Sequence, residues 1–520
     1  MLVLDHSAHQ RLNRRLPGTR SAPLEHRLIL GAATVFVAIG PGIARTEQPL
    51  RAELKAPYRV IEGVSVKAGS AIRLQEDAYR QLQSASRIRL TQFPLEGNQT
   101  VDLELEQFSV TNPATRFVRG TADGDVPIPH PDVALFRGEV VGEIDSQVFL
   151  GISPSGSNGF IRIGQKQYIL APDRGADRAD AGLRHVIHER GVAGAGVPTT
   201  PFECHTTTAA EPPADGVPVG GGVAGVYPFR VAFVAIECDY DFGQSFDSVN
   251  AAAVYVTELL GAVSSLYERD LQVRLYLPYI RVWSTASDPY TGSTVQSLLP
   301  EFESYWRANM GFVDRDIAHF LTTKLANGGL AEVDVLCDET WGYGSSSGIT
   351  GSFPVPLVDG SMGNWDLLIV SHEMGHQFGS PHTHCYTPPI DLCFNTEPGC
   401  YSGTIDCSGQ GTIMSYCKSC PGDLLNMDLR FGDRVIQRIR QSVDVSCLRS
   451  GQDPVYVDWT NNTGIEIGSS FFPYNTVLEG VQVVIPGGTI HIDAGAYPEG
   501  IVANRPMILR TTGGSVVIGP

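Results

Sequence analysis

Positive charge is in short supply in this chain. Its 38 Lys and Arg stand against 56 Asp and Glu, for a formal net charge of -18 and a pI near 5.1. That balance repels nucleic acid, and the one basic cluster (Arg11, Arg14, Arg15, Arg20 and Arg27) sits at the extreme N-terminus, so a nucleic-acid partner is excluded. Long apolar runs are scarce too. Beyond residues 28–39, no segment reads as able to cross a membrane, and that run falls short of the roughly 20 residues a span needs. Paired CxxC units are absent; Cys417-Lys-Ser-Cys420 stands alone, which argues against a structural four-thiolate metal site.

What is present describes an exported, multidomain protein. At 520 residues, with 42% apolar and 18% charged residues, the chain exceeds the size of a single growing core, and its 34 Pro and 56 Gly mark many turns and linkers. The basic stretch, the apolar run over 28–39 and the small residues Gly42-Ile-Ala44 predict a signal peptide over 1–44, cleaved after Ala44, and a secreted product without a stable membrane span. Ten cysteines agree with an oxidising compartment. Six of them crowd between 385 and 420, predicting a stapled loop whose connectivity spacing does not reveal.

Texture divides the remainder. Residues 45–200 alternate short apolar runs with turns, as in Val101-Asp-Leu-Glu-Leu-Glu-Gln-Phe108, and read as β-rich. A Gly-, Pro- and Thr-rich linker covers 201–225, open to an activating protease. Over 226–449 the order is strand (229–236), helix (248–269), strand (272–283) and strand (316–322), then a further strand over 330–337, an α/β or α+β pattern. A helix over 364–378 follows and stops at Gly379. Residues 450–520 form a separate β module.

The chemistry is concentrated in His372-Glu-Met-Gly-His376-Gln-Phe-Gly-Ser-Pro-His382. Two histidines four apart on a helix lie one turn apart on one face, so both imidazoles can address one metal ion. Gly379 permits the positive φ that turns the chain out of the helix and brings His382 back as third ligand. Three histidines and an open fourth position make a hydrolytic rather than a structural zinc site, with one catalytic ion expected. Glu373, beside the first ligand, is the expected general base. Downstream, Gly411-Thr-Ile-Met-Ser-Tyr-Cys417 places Met414 in a turn suited to flooring the three imidazoles.

The zinc motif together with this methionine turn resembles the metzincins, and several stretches resemble their reprolysin or adamalysin branch, the disintegrin-and-metalloprotease type. These are Leu266-Tyr-Glu-Arg-Asp-Leu-Gln-Val-Arg-Leu275, Asp316-Ile-Ala-His-Phe-Leu-Thr322 and Gly329-Leu-Ala-Glu-Val-Asp-Val-Leu-Cys337. The resemblance implies a mixed sheet with an active-site helix, a substrate-binding edge strand near 329–337, a Cys337–Cys447 bridge, and protein or peptide substrates. The branch usually has Asp after the third histidine; here Thr383 follows, and His384 offers a competing imidazole. Phe136-Arg-Gly-Glu-Val-Val-Gly-Glu and Ser146-Gln-Val-Phe-Leu-Gly-Ile-Ser resemble a reprolysin propeptide, which implies an inactive precursor. Cys204 is then either an inhibitory thiolate switch or a disulfide partner of Cys238. The C-terminal stretch from Gly480 to Pro498 resembles the opening coils of a parallel β-helix, though a small β sandwich is the other reading. A protein that acts by adhesion or carbohydrate binding through this module is the rival to the peptidase.

Overall fold

In the structure, a computed structural model, the described residues are most of 53–189 and 230–519, plus two short strands, Leu2–Leu4 and Gln10–Arg11. Stretches within these spans, the longest at 174–182 and 354–363, are not described. The expected signal core at 28–39, the cleavage point at Ala44, the linker over 201–225 and Cys204 all lie outside the described residues.

Two large sheets dominate. The first has ten strands, all drawn from 53–189 and almost wholly antiparallel, with Thr100–Phe108, Ala134–Val140, Ser146–Ile152 and Asn158–Ile163 adjacent in that order. The alternation seen in the sequence is that of its inward side chains, such as Leu103 and Leu105. The second sheet runs, edge to edge, Gly329–Ala331, Tyr343–Ser346, Ile317–Leu321, Arg230–Cys238, Tyr279–Trp283, Arg116–Thr121 and Gly124–Pro127. Its last two strands belong to the N-terminal region. The hairpin over 116–127 leaves the first sheet between two neighbouring strands and adds itself, parallel, to Tyr279–Trp283. Hydrogen bonds therefore join the β-rich region to the sheet of the following domain.

A single helix is shared by both. Val249–Leu271 starts at Ser248, whose Oγ accepts from Ala251 N at 3.1 Å, and stops at Gln272 in the left-handed region (φ 53°). Its 23 residues are apolar enough to pass for a membrane span, which corrects the expectation that no segment beyond the N-terminal run does so. Burial explains this composition: 83% of its most apolar window is covered by protein. One side packs on the second sheet and the other on the N-terminal one, so Phe108, Phe149 and Phe160 share a core with Leu259, Leu260 and Val263. Gly261 makes the close approach feasible, because a Cβ there would lie 2.7 Å from Leu135.

Two expected elements come out differently. The strand expected over 272–283 is two, Val273–Tyr276 and Tyr279–Trp283, split around Pro278, which has no N–H to give a ladder. The strand expected over 330–337 is only Gly329–Ala331. Beyond it the chain turns through positive φ at Asp334 (62°) and Cys337 (67°), and the amides of Asp334 and Val335 donate to His376 O and Gln377 O, capping the helix Trp365–Gln377 instead of extending a ladder. Among the described residues of the C-terminal module, Val455–Val457, Thr489–Tyr497 and Ile508–Ile518 lie side by side and parallel, around a core that includes Val455, Ile490, Leu509 and Val516.

Candidate active site

Trp365–Gln377 is the active-site helix, buried along its whole length. In its first turn, the fully buried Asp366 accepts from Thr350 N, Gly351 N and Tyr255 Oη, tying the helix start to the long helix and to residues 349–353. At its other end, Gly379 has φ 103° and its N donates to His376 O at 2.7 Å. The expected stop therefore operates through the backbone conformation that glycine tolerates best.

That turn brings the three histidines together. His376 Nε2 lies 3.2 Å from His372 Nε2 and 3.1 Å from His382 Nε2, and all three rings are buried. Each Nδ1 faces an acceptor: Ile413 O at 2.6 Å for His372, Ser380 O at 2.7 Å for His376 and Glu397 Oε2 at 2.7 Å for His382. Carbonyl and carboxylate oxygens only accept, so every Nδ1 carries the proton and the three Nε2 lone pairs point at one another. Burial, then the neighbouring imidazoles, push His372 and His376 well below the ordinary histidine range, which keeps them neutral. Facing lone pairs at this spacing repel unless a cation lies among them. Tetrahedral zinc with Zn–N near 2.0–2.1 Å requires Nε2 atoms about 3.3 Å apart, so the donor set fits that ion.

Met414 is fully buried in the turn beneath the helix, and a Cβ at Gly375 would collide with its Sδ. The motif's glycine thus admits the methionine. The same turn supports two of the histidine positions, since Ile413 O accepts from His372 Nδ1 and Met414 O accepts from Thr383 N, next to His382, at 3.0 Å. Tyr416 packs its ring 4.5 Å from that of His382 and 4.7 Å from Phe394.

His384 sits outside the three-nitrogen cluster. Its ring stacks on His382 at 5.3 Å with planes 7° apart, and its Nε2 lies 2.7 Å from the same Glu397 oxygen. Cys385 offers no thiolate beside it, being bonded to Cys400. The other loop pairs are Cys393–Cys417 and Cys407–Cys420, while Cys337 pairs with Cys447. Glu397 went unread in the sequence because nothing in a cysteine-rich loop marks which carboxylate turns inward. Burial would raise its pKa, but the bonds from His382 and His384 prevail and hold it at about 2.

Glu373 is fully buried, and its carboxylate lies against the edge strand, where a Cβ at Gly329 would overlap it. We expect Gly329→Ala to displace that carboxylate and lower kcat/KM at least about tenfold, a barrier change of only about 1.4 kcal/mol, with the melting point nearly unchanged. Parallel steady-state kinetics and thermal melts check this. Full activity in the variant would mean that the carboxylate tolerates the shift.

Residues 228–427 match the reprolysin-type family described as Metallo-peptidase family M12, so this stretch resembles a metalloprotease domain. Disintegrin and metalloproteinase domain-containing protein B of Aspergillus fumigatus is 28% identical over 167 residues, an alignment covering 29% of this chain and 20% of that protein. The chain thus matches about a fifth of that relative's length. Metalloproteinase-II of Bacteroides fragilis, a solved structure, aligns over 76% of this chain and 98% of its own at 13% identity and a TM-score of 0.39. Both matches make this stretch of the chain similar to reprolysin-like metzincins.

Proposed function

We propose that this protein is a secreted, zinc-dependent endopeptidase made as an inactive precursor, with His372, His376 and His382 holding one zinc ion and Glu373 as general base. The observation that carries the reading is the convergence of three Nε2 atoms whose Nδ1 protons are all committed elsewhere. When bound, zinc supplies the Lewis acidity that polarises a peptide carbonyl and acidifies a water. Glu373 takes the proton of that water on its carboxylate and hands it to the departing amine. Gly329–Ala331 pairs on one side only among the described residues, which leaves its outer edge for an extended substrate backbone.

Closure of the precursor falls, in this reading, to the segment around Cys204. The hairpin over 116–127 occupies the sheet edge opposite Gly329–Ala331, and the rest of the β-rich region packs on the long helix. Cys238 is fully buried on the central strand, where a thiol is inert, which supports reading Cys204 as a zinc-directed thiolate. Cleavage in the 201–225 linker by an activating protease would then open the site. For the C-terminal module, three parallel strands in succession support the beginning of a parallel β-helix.

The test is metal removal. Processed protein is expected to cleave casein or gelatin, to lose that activity when dialysed against a zinc chelator, and to regain it with stoichiometric zinc. Cleavage that survives metal removal, or processed protein that stays inactive with zinc, overturns the reading.

A further inference from the structure

We propose that Glu397, from the disulfide-stapled loop, is the positioning residue that makes His382 a competent third ligand, with His384 holding it in place. This rests on the zinc reading above and concerns how the site is kept assembled. His372 and His376 are fixed by the helix that carries them, and their Nδ1 protons go to neutral backbone carbonyls. His382 follows the turn at Gly379, outside the helix; its backbone is held through Thr383, but among the described residues the partner that orients its ring through Nδ1 is the carboxylate of Glu397 at 2.7 Å. An anionic acceptor both fixes the ring and makes its Nε2 more basic than a carbonyl would.

The carboxylate is itself secured. The same Oε2 receives His384 Nε2 at 2.7 Å, and the two imidazoles stack nearly parallel on either side of this arrangement. Glu397 opens a turn in which its carbonyl accepts from Cys400 N at 3.2 Å, and Cys400 is bonded to Cys385, the neighbour of His384. Tyr401 N donates to His384 O at 3.0 Å, closing the loop onto the same residue. The staple thus connects a loop carboxylate to the third zinc ligand across 15 residues of sequence.

Zinc affinity of the metal-free full-length chain, measured by competition with a chromogenic chelator, tests this directly. Glu397→Gln keeps the size of the side chain and removes the charge; its zinc Kd is expected to rise about 10–100-fold while the melting point of the metal-free form stays that of the parent. Glu397→Asp should recover part of the loss, and the visible spectrum of the cobalt-substituted Gln variant should change in band position. A purely structural role would lower the metal-free melting point and leave the affinity of folded protein untouched. A Kd within about twofold of the parent overturns the proposal. If Glu397→Gln fails to fold, His384→Ala decides, with a several-fold rise in Kd expected and none overturning it. Failure of the parent chain to bind zinc would instead overturn the zinc reading itself.

Discussion

Glu373→Ala is expected to lower peptide hydrolysis by about 10²–10⁴-fold, the usual contribution of a positioned general base, with zinc content unchanged. The two halves of that result separate base from ligand. Three Nε2 atoms already supply the donor set, and the Glu373 carboxylate lies toward Gly329 on the edge strand. Removing it should therefore leave metal binding intact while removing the group that accepts the water's proton. The loss should fall on kcat, because backbone pairing of substrate with 329–331 does not use the carboxylate. Glu373→Asp, one methylene shorter on a buried helix, should keep a proton acceptor at the wrong distance and recover only a small part of the rate. Metal analysis alongside kcat and KM checks the prediction. Loss of zinc in Glu373→Ala would make Glu373 a ligand, and retained hydrolysis would remove it from the chemistry.

The site was legible in the sequence to the extent that its order is local. His372 and His376 are placed by helical spacing, and Gly379 by the conformation it alone adopts easily, so the motif carries its own geometry. Met414 could be found because a turn of small and polar residues follows at a recognisable distance. Glu397 could not, since its position depends on which cysteines pair, and spacing does not decide that. The same limit separates the readable parts of the fold from the rest. Periodicity gave the long helix to within a few residues, at Val249–Leu271 against 248–269 expected. It could not say that the hairpin over 116–127 would leave its own sheet for another, because strand partners are chosen by long-range packing. Nor could alternation over 330–337 compete with the helix-terminal carbonyls of His376 and Gln377, which recruit Asp334 N and Val335 N.

That unforeseen hairpin leads to the second large effect, at Arg281. Glu237 is fully buried in the central strand and receives Arg281 Nε on both oxygens (3.0 and 2.9 Å), Trp283 Nε1 at 2.6 Å, Tyr290 Oη at 2.9 Å and Trp306 Nε1 at 3.1 Å. Arg281 is the only cation in this set, and it reaches on to Asp125 of the hairpin at 3.3 Å, where Tyr279 also donates. One guanidinium therefore neutralises a core carboxylate and meets the strand added by the N-terminal region. Removing one member of a buried ion pair typically costs about 3–5 kcal/mol, because the remaining charge keeps its desolvation penalty without its partner. Arg281→Met should lower the thermal midpoint by roughly 10 °C, at about 2–4 °C per kcal/mol for a domain of this size. The double variant Glu237→Gln with Arg281→Met should regain part of the loss, since it leaves no unpaired buried charge and the amide oxygen can still accept from Trp283 and Tyr290. Asp125→Asn, at a half-buried position, should cost under about 1 kcal/mol. Differential scanning calorimetry of the four proteins decides the matter. If Arg281→Met melts within about 2 °C of the parent, the pair does not hold the central strand, and the junction between hairpin and sheet rests on its backbone ladder and apolar packing alone.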